Sequence, residues 1–146
     1  MKVLLLFLAM CIASVTYGQD IRVAQGVPAS VQKAFKSKFP AAKDVEWERK
    51  GERLEADFNV GRVDHKALYD QKGKLLAWKS DLRKGALPPA ITRAIKTNYK
   101  GFRVDDADQV TRDGKVYYQV ELDGTPDDLH VVFDKEGKVL EGADWW

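Results

Sequence analysis

The sequence predicts an α+β fold: two tandem repeats of one helix plus about four antiparallel strands, forming one sheet with the helices on one face. Three observations carry this. The chain is similar to itself at an offset of 60 to 64 residues, each copy opens with large apolar residues spaced by four, and the rest of each copy alternates with period two between turn residues.

The chain begins Met1-Lys2 and then runs without a charge from Val3 through Ala13. One positive residue, a short apolar run and small residues at Thr16 and Gly18 make the pattern of a secretory signal peptide cleaved after Gly18. The run falls short of the roughly 20 apolar residues that a membrane-spanning helix needs. Cys11 invites a lipoprotein reading, which the bulky Met10 before it opposes. Residues 1–18 are therefore expected to be signal peptide and residues 19–146 one domain, with repeats at about 27–82 and 87–146.

Cleavage there removes the only cysteine, leaving no disulfide and no thiol for catalysis or metal binding. It also removes Lys2, leaving 23 basic against 22 acidic residues. Such balance gives no general attraction to nucleic acid or to anionic membranes. A mature length of 128 residues suits one domain rather than two independent cores.

In the first repeat Val31, Phe35 and Phe39 form a stripe that Ala34 fills; in the second, Ile91, Ile95 and Tyr99 do so with Ala94. Each stripe is the buried face of an amphipathic helix. Pro28 and Pro88-Pro89 suit the first turns, and Pro40 and Gly101 sit where the helices should stop.

The segments that follow read as half-buried antiparallel strands, with Leu54, Ala56, Phe58 and Val60 on one side of the first unit's strand and Val116, Tyr118, Val120 and Leu122 on the second's. Lys50-Gly51, Asp113-Gly114, Asp70 to Gly73 and Asp134 to Gly137 supply hairpin turns. The drift in offset from 60 to 64 places small insertions in loops, and it aligns Val110 with Trp47. Trp47 in phase with Val45, and Trp78 in phase with Leu76, are expected in the core.

Val27-Pro28, a helix ending Phe39-Pro40-Ala41, Val45-Glu46-Trp47, an alternating strand and Tyr69-Asp70-Gln71-Lys72-Gly73-Lys74-Leu75 follow one another in the first unit. Phe133-Asp134-Lys135-Glu136-Gly137-Lys138-Val139 repeats the last piece in the second. This order resembles the PepSY-like, β-lactamase-inhibitor-like proteins of bacterial envelopes. The resemblance implies a periplasmic or secreted binding or inhibitory module that uses its exposed sheet face.

Catalytic signals are missing from the mature sequence. Its serines stand only at 30, 37 and 80, its histidines are His65 and His130, and no Gly-x-Ser-x-Gly or zinc-binding spacing occurs. No enzyme activity, cofactor or metal is therefore expected. The acidic stretches Asp105 to Asp108 and Asp123 to Asp128 fit no calcium-loop spacing and read as solvated turns.

By alternation His65 faces inward as a hydrogen-bonded, partly buried residue and His130 faces outward. The helix-free face is expected to carry Arg53, Glu55, Asp57, Asp64, Lys66 and Leu68 in the first unit, and Tyr117, Gln119, Glu121, His130, Val132 and Val139 in the second. Trp145 and Trp146 are consecutive, so one of them stays outside any core, as a terminal clasp or a ligand contact.

These readings converge on an exported, non-enzymatic module that binds a protein or peptide of the cell envelope, restraining an envelope enzyme, through Tyr117, Gln119, His130, Val132, Leu68 and Trp146. The alternative is a periplasmic carrier or sensor of a small ligand or ion, with its pocket where the units meet. Neither needs nucleic acid or a membrane span after signal cleavage.

Overall fold

The computed structural model describes residues 26–142 except Lys84. The expected signal peptide and Trp145-Trp146 lie outside the described residues. Helices α1 (Ala29–Lys38) and α2 (Pro89–Asn98) each open a repeat. After α1 come β1 (Lys43–Lys50), β2 (Arg53–Val60), β3 (Val63–Tyr69) and β4 (Leu75–Asp81); after α2 come β5 (Arg103–Arg112), β6 (Lys115–Asp123) and β7 (Leu129–Asp134). All seven strands form one antiparallel sheet in chain order. The fourth strand expected in the second unit shrinks to a single bridge between Phe133 and Val139.

Both helices start from a proline whose carbonyl accepts two amides: Val31 and Gln32 for Pro28, Ile91 and Thr92 for Pro88. The extended backbone at Pro28 and Pro88 makes them caps, with no side-chain oxygen involved. At the other ends the amides of Phe39 and Tyr99 reach back to Phe35 and Ile95.

The register shows that α1 and α2 share one face of the sheet. Residues directly opposite in adjacent strands point the same way, so sidedness can be followed across the sheet. Ala56 faces Ala67, Ala67 faces Trp78, Trp78 faces Thr111, and Thr111 faces Val116, which shares its side with Val120 and Leu122. Ala56 and Ala67 pack with Val31 and Phe35 of α1, and Val120 and Leu122 with Ile91 and Ile95 of α2.

Two hydrophobic clusters result, one under each helix. Ser80, Gln109 and Thr111 occupy the helix side of the β4–β5 ladder between them, which explains why apolar packing does not run across. The first cluster is aromatic: Phe35 meets Phe58 edge-on at 4.9 Å and Trp47 at 5.3 Å, and Phe39 meets Trp78 at 5.8 Å. His65 belongs to it, stacked between Phe58 and Trp78. Its Nδ1 lies 2.9 Å from the Val63 carbonyl, which can only accept, so Nδ1 carries the proton. The second cluster is mainly aliphatic.

Register corrects the internal alignment. The pairs Leu54–Tyr69 and Tyr118–Phe133 are equivalent, as are Trp47–Ala56 and Ala107–Val120. Trp47 therefore corresponds to Ala107, while Val110 corresponds to Lys50 and stands on the opposite side of the sheet. The drift from 60 to 64 is not a set of loop insertions. It is a β5–β6 hairpin longer by two residues on each strand, and an even number per strand leaves every side chain on its original face.

The added rungs extend the join between the repeats, because Thr111 and Arg112 pair with Trp78 and Ala77 of β4 beyond the pairs made by Val110, Gln109 and Asp108. A register shift in β4 brings Leu75, rather than the expected Leu76, against the first cluster.

Each unit locks its helix to its last hairpin in the same way. Asp70 Oδ1 accepts the amides of Lys72 and Lys74 at 2.9 Å, and Asp134 Oδ1 accepts those of Glu136 and Lys138 at 3.0 and 2.9 Å. The turns bring Gly73 (φ +92°) and Gly137 (φ +85°) under the first turns of the helices, where a Cβ would stand 2.8 Å from the carbonyl oxygen of Ser30 or Ala90.

Gly73→Ala and Gly137→Ala should each destabilise by about 2 kcal/mol or more, since positive-φ strain adds to a backbone clash. Gly51→Ala, at φ +63° with nothing within 4 Å of the added carbon, should lose less. Equal losses at all three sites in urea unfolding would show that the close approach contributes nothing.

Tyr69 is fully buried, its hydroxyl has no hydrogen-bond partner among the described residues, and burial pushes its pKa up to about 12. Its counterpart is Phe133. Tyr69→Phe should be neutral or stabilising by about 1 kcal/mol in the same assay, because it removes an unsatisfied buried group.

Candidate partner-binding face

The helix-free side of the sheet presents four rows of cross-strand neighbours. Glu55, Leu68, Ala77, Arg112 and Lys115 make one; Asp57, Lys66, Lys79, Val110, Tyr117 and Asp134 make the next. Asp81, Asp108, Gln119 and Val132 follow, then Asp106, Glu121 and His130. The predicted residues Tyr117, Gln119, His130 and Val132 thus stand together on β6 and β7, and Leu68 stands apart on β3. Trp146 lies outside the described residues.

Two expectations about this face need correction. Leu68 (8 % exposed) and Val132 (3 %) are buried although no helix covers them, and Val110 is fully buried beside them. Short apolar side chains flanked across the ladder by longer neighbours are closed over even on an open face; Val110, for example, lies between Lys79 and Tyr117. Val139 turns inward against the second cluster, and Leu140, whose amide bonds the Val132 carbonyl at 2.8 Å, takes the outer position. Leu140 and Tyr117 line a cavity of about 580 Å³ with Val116, Asp134 and Lys138. It belongs to the second unit alone, not to the junction of the two.

The two halves of the face differ residue by residue. Arg53, Glu55, Asp57, Lys66 and Leu68 of the first unit correspond, 64 residues on, to Tyr117, Gln119, Glu121, His130 and Val132 of the second. In the first unit the charges neutralise one another, with Lys66 Nζ 3.1 Å from Asp57 and 4.0 Å from Glu55. In the second, Tyr117 and Gln119 are half-buried and His130 is exposed.

Between the halves lies a group that residue-by-residue reading missed. Asp81 on β4 stands directly opposite Asp108 on β5. Asp108 is 4 % exposed and accepts a 2.6 Å salt bridge from Lys79 on Oδ2, while its Oδ1 is buried with no hydrogen-bond partner among the described residues. Burial, the hydrogen bond that a protonated Asp81 can donate to Asp108, and the charges of Asp108, Asp106 and Asp64 push the Asp81 carboxyl up to about 6. Alternation alone could have put Asp108 on this face. Its pairing with Asp81 could not be seen, because the β4–β5 contact joins the repeats and has no copy inside either.

Of the acidic stretches, Asp123 pairs with Arg103 and Asp128 accepts the Gly124 amide. Among the described residues no three metal-ligating side chains converge on one point, and no helix there is long and apolar enough to cross a membrane.

A repeated helix-and-hairpin unit, merged into a sheet with one face left open, defines the class of this protein. The chain belongs to the family described as "Putative beta-lactamase-inhibitor-like, PepSY-like", whose model matches residues 17–77 and again 54–141. Solved structures share the fold. A DUF2874 family protein from Bacteroides uniformis ATCC 8492 superposes with a TM-score of 0.73 at 24% identity, covering 78% of this chain and 86% of its own. A BLIP-like protein from Bacteroides fragilis NCTC 9343 gives 0.70 at 22% identity, covering 81% and 92%. A structure from Bacteroides eggerthii DSM 20697 described among "putative periplasmic proteins" gives 0.72 at 21%, covering 79% and 86%. No curated protein matches the chain.

The Asp81–Asp108 pair sets a pH dependence whose sign follows from linkage. A carboxyl raised from 3.8 to about 6 binds more protons folded than unfolded, so its contribution to stability falls as pH rises through that window. Asp81→Asn should therefore stabilise the protein above about pH 6 and leave it little changed near pH 4. The gain, discounted for the exposure of Asp81, is about 1 kcal/mol or a few degrees in Tm. Thermal melts of both proteins across this range check it, and parallel curves would remove the shared proton.

Proposed function

We propose that this protein is an exported, non-enzymatic binding module whose helix-free sheet face captures a protein or peptide of the cell envelope, restraining an envelope enzyme as an inhibitor does. The observation that carries the reading is the asymmetry of that face: one half holds mutually neutralised charges, and the other keeps one carboxylate, Glu121, and has exchanged the rest for an aromatic, an amide and an imidazole. Tyrosine beside dispersed polar groups is the composition of a protein-recognition surface. Family membership and the periplasmic and BLIP-like descriptions of its structural neighbours support export and a protein partner.

Tyr117 and His130 are the residues to change, since neither is buried as Val132 is. Tyr117→Glu with His130→Glu should weaken capture of the partner from native envelope extract by about 30-fold or more, the loss of one interfacial hot spot. The melting temperature should stay within a degree or two of wild type. A partner held equally by both proteins would remove this face from the reading.

A second reading, carriage of a small ligand, is favoured by the cavity beside Tyr117 and Leu140. A ligand retained by the purified protein in native mass spectrometry, and lost in Leu140→Glu, would shift the assignment to it.

A further inference from the structure

The centre of the helix-free face, where β4 meets β5, is strongly acidic in a chain whose total charge is near neutral. Asp81 and Asp108 face each other across the ladder, Asp64 and Asp106 are near enough to act on Asp81, and Glu121 opposes Asp106. The cations facing this group are few. Lys79 is committed to Asp108, Lys66 to Asp57 and Glu55, and His130 lies opposite Glu121.

We infer that this seam is the cation-recognition point of the binding face, receiving an arginine side chain of the protein partner on the exposed Asp81 where it faces the buried Asp108. The inference rests on the binding-face reading above and names the chemistry of what binds there.

Three features select that occupant. Asp108 holds Lys79 with Oδ2 and leaves Oδ1 buried and unmatched, so a donor from outside has an acceptor already desolvated and fixed in place. Asp81, directly across the ladder, is exposed, so the approach is open. A planar guanidinium carries five donors and can bridge two carboxylates, whereas an ammonium offers a point charge.

A divalent ion needs several oxygen ligands, and no set of three ligating side chains converges there among the described residues. Tyr117 in the adjoining row, with the cavity beyond it, gives the rest of a partner segment something to pack on.

Without a partner, and below about pH 6, the two carboxylates relieve their repulsion by sharing a proton. Arginine and proton then compete for one place. With the Asp81 carboxyl at about 6, binding should weaken about tenfold between roughly pH 7.5 and pH 5. A His130→Gln protein is the control for any contribution of the imidazole opposite Glu121.

The test is an NMR titration of the purified protein with N-acetyl-arginine methylamide, alongside its neutral isostere N-acetyl-citrulline methylamide. The arginine probe should move the amide resonances of residues 79–81 and 108–110, more weakly at the lower pH, and His130→Gln should keep that dependence. Asp81→Asn should abolish the response while melting at least as high as wild type. No response to arginine, an equal response to citrulline, an unchanged Asp81→Asn protein, or the same shifts produced by Ca²⁺ would overturn the inference. Partner capture separates the two levels: capture lost in the Tyr117→Glu/His130→Glu protein but kept in Asp81→Asn leaves the binding face standing and removes the arginine.

Discussion

Everything in this fold hangs on the contact between a hairpin turn and the first turn of a helix, made twice. An aspartate gathers two amides of its own turn, which fixes the chain so that a glycine lies against the helix backbone. A Cβ at that glycine would meet a carbonyl oxygen at 2.8 Å. The closeness matters because helices of ten residues, too short to persist alone, need a fixed seat on the sheet. Val31 and Phe35, or Ile91 and Ile95, can fill the same hollow every time only if the seat does not shift.

The second constraint is parity. A sheet in chain order makes each hairpin a local decision, and one residue gained or lost would exchange its buried and exposed sets. The longer β5–β6 hairpin respects this by adding two residues to each strand. The added rungs lengthen the grip of β5 on β4, and through that ladder two units that keep separate hydrophobic clusters share one sheet. Polar residues at the seam keep the clusters apart on the helix side, and on the open side the same ladder brings Asp81 and Asp108 together.

That acidic pair works against stability, because like charges opposite each other in a ladder repel and an unmatched buried oxygen loses its water. Nothing in the packing of either repeat requires it. Functional surfaces are where such local conflicts persist, since an acceptor already stripped of water is ready for a donor on a partner. The open face therefore combines three regions: neutralised charges on β2 and β3, an under-neutralised seam, and an aromatic, weakly charged patch on β6 and β7.

The sequence by itself determined the helices, the alternating strands, the two-fold repetition and the sides of most strand residues, because each depends on spacing within a few residues of chain. Four-residue spacing marked Val31/Phe35/Phe39, and period two marked Leu54/Ala56/Phe58; the glycines marked the turns. Of the candidate site, it placed Tyr117, Gln119, His130, Val132 and Leu68 on the helix-free side, where strand pairing also puts them. Only the tertiary structure decided what depends on contacts between distant segments. It equated Trp47 with Ala107, turned Val139 inward, buried Leu68 and Val132, and set Asp81 against Asp108. The physical reason is the same in each case: a shift of register or a join between repeats leaves the local pattern unchanged, and only the pairing of strands shows which side chains meet.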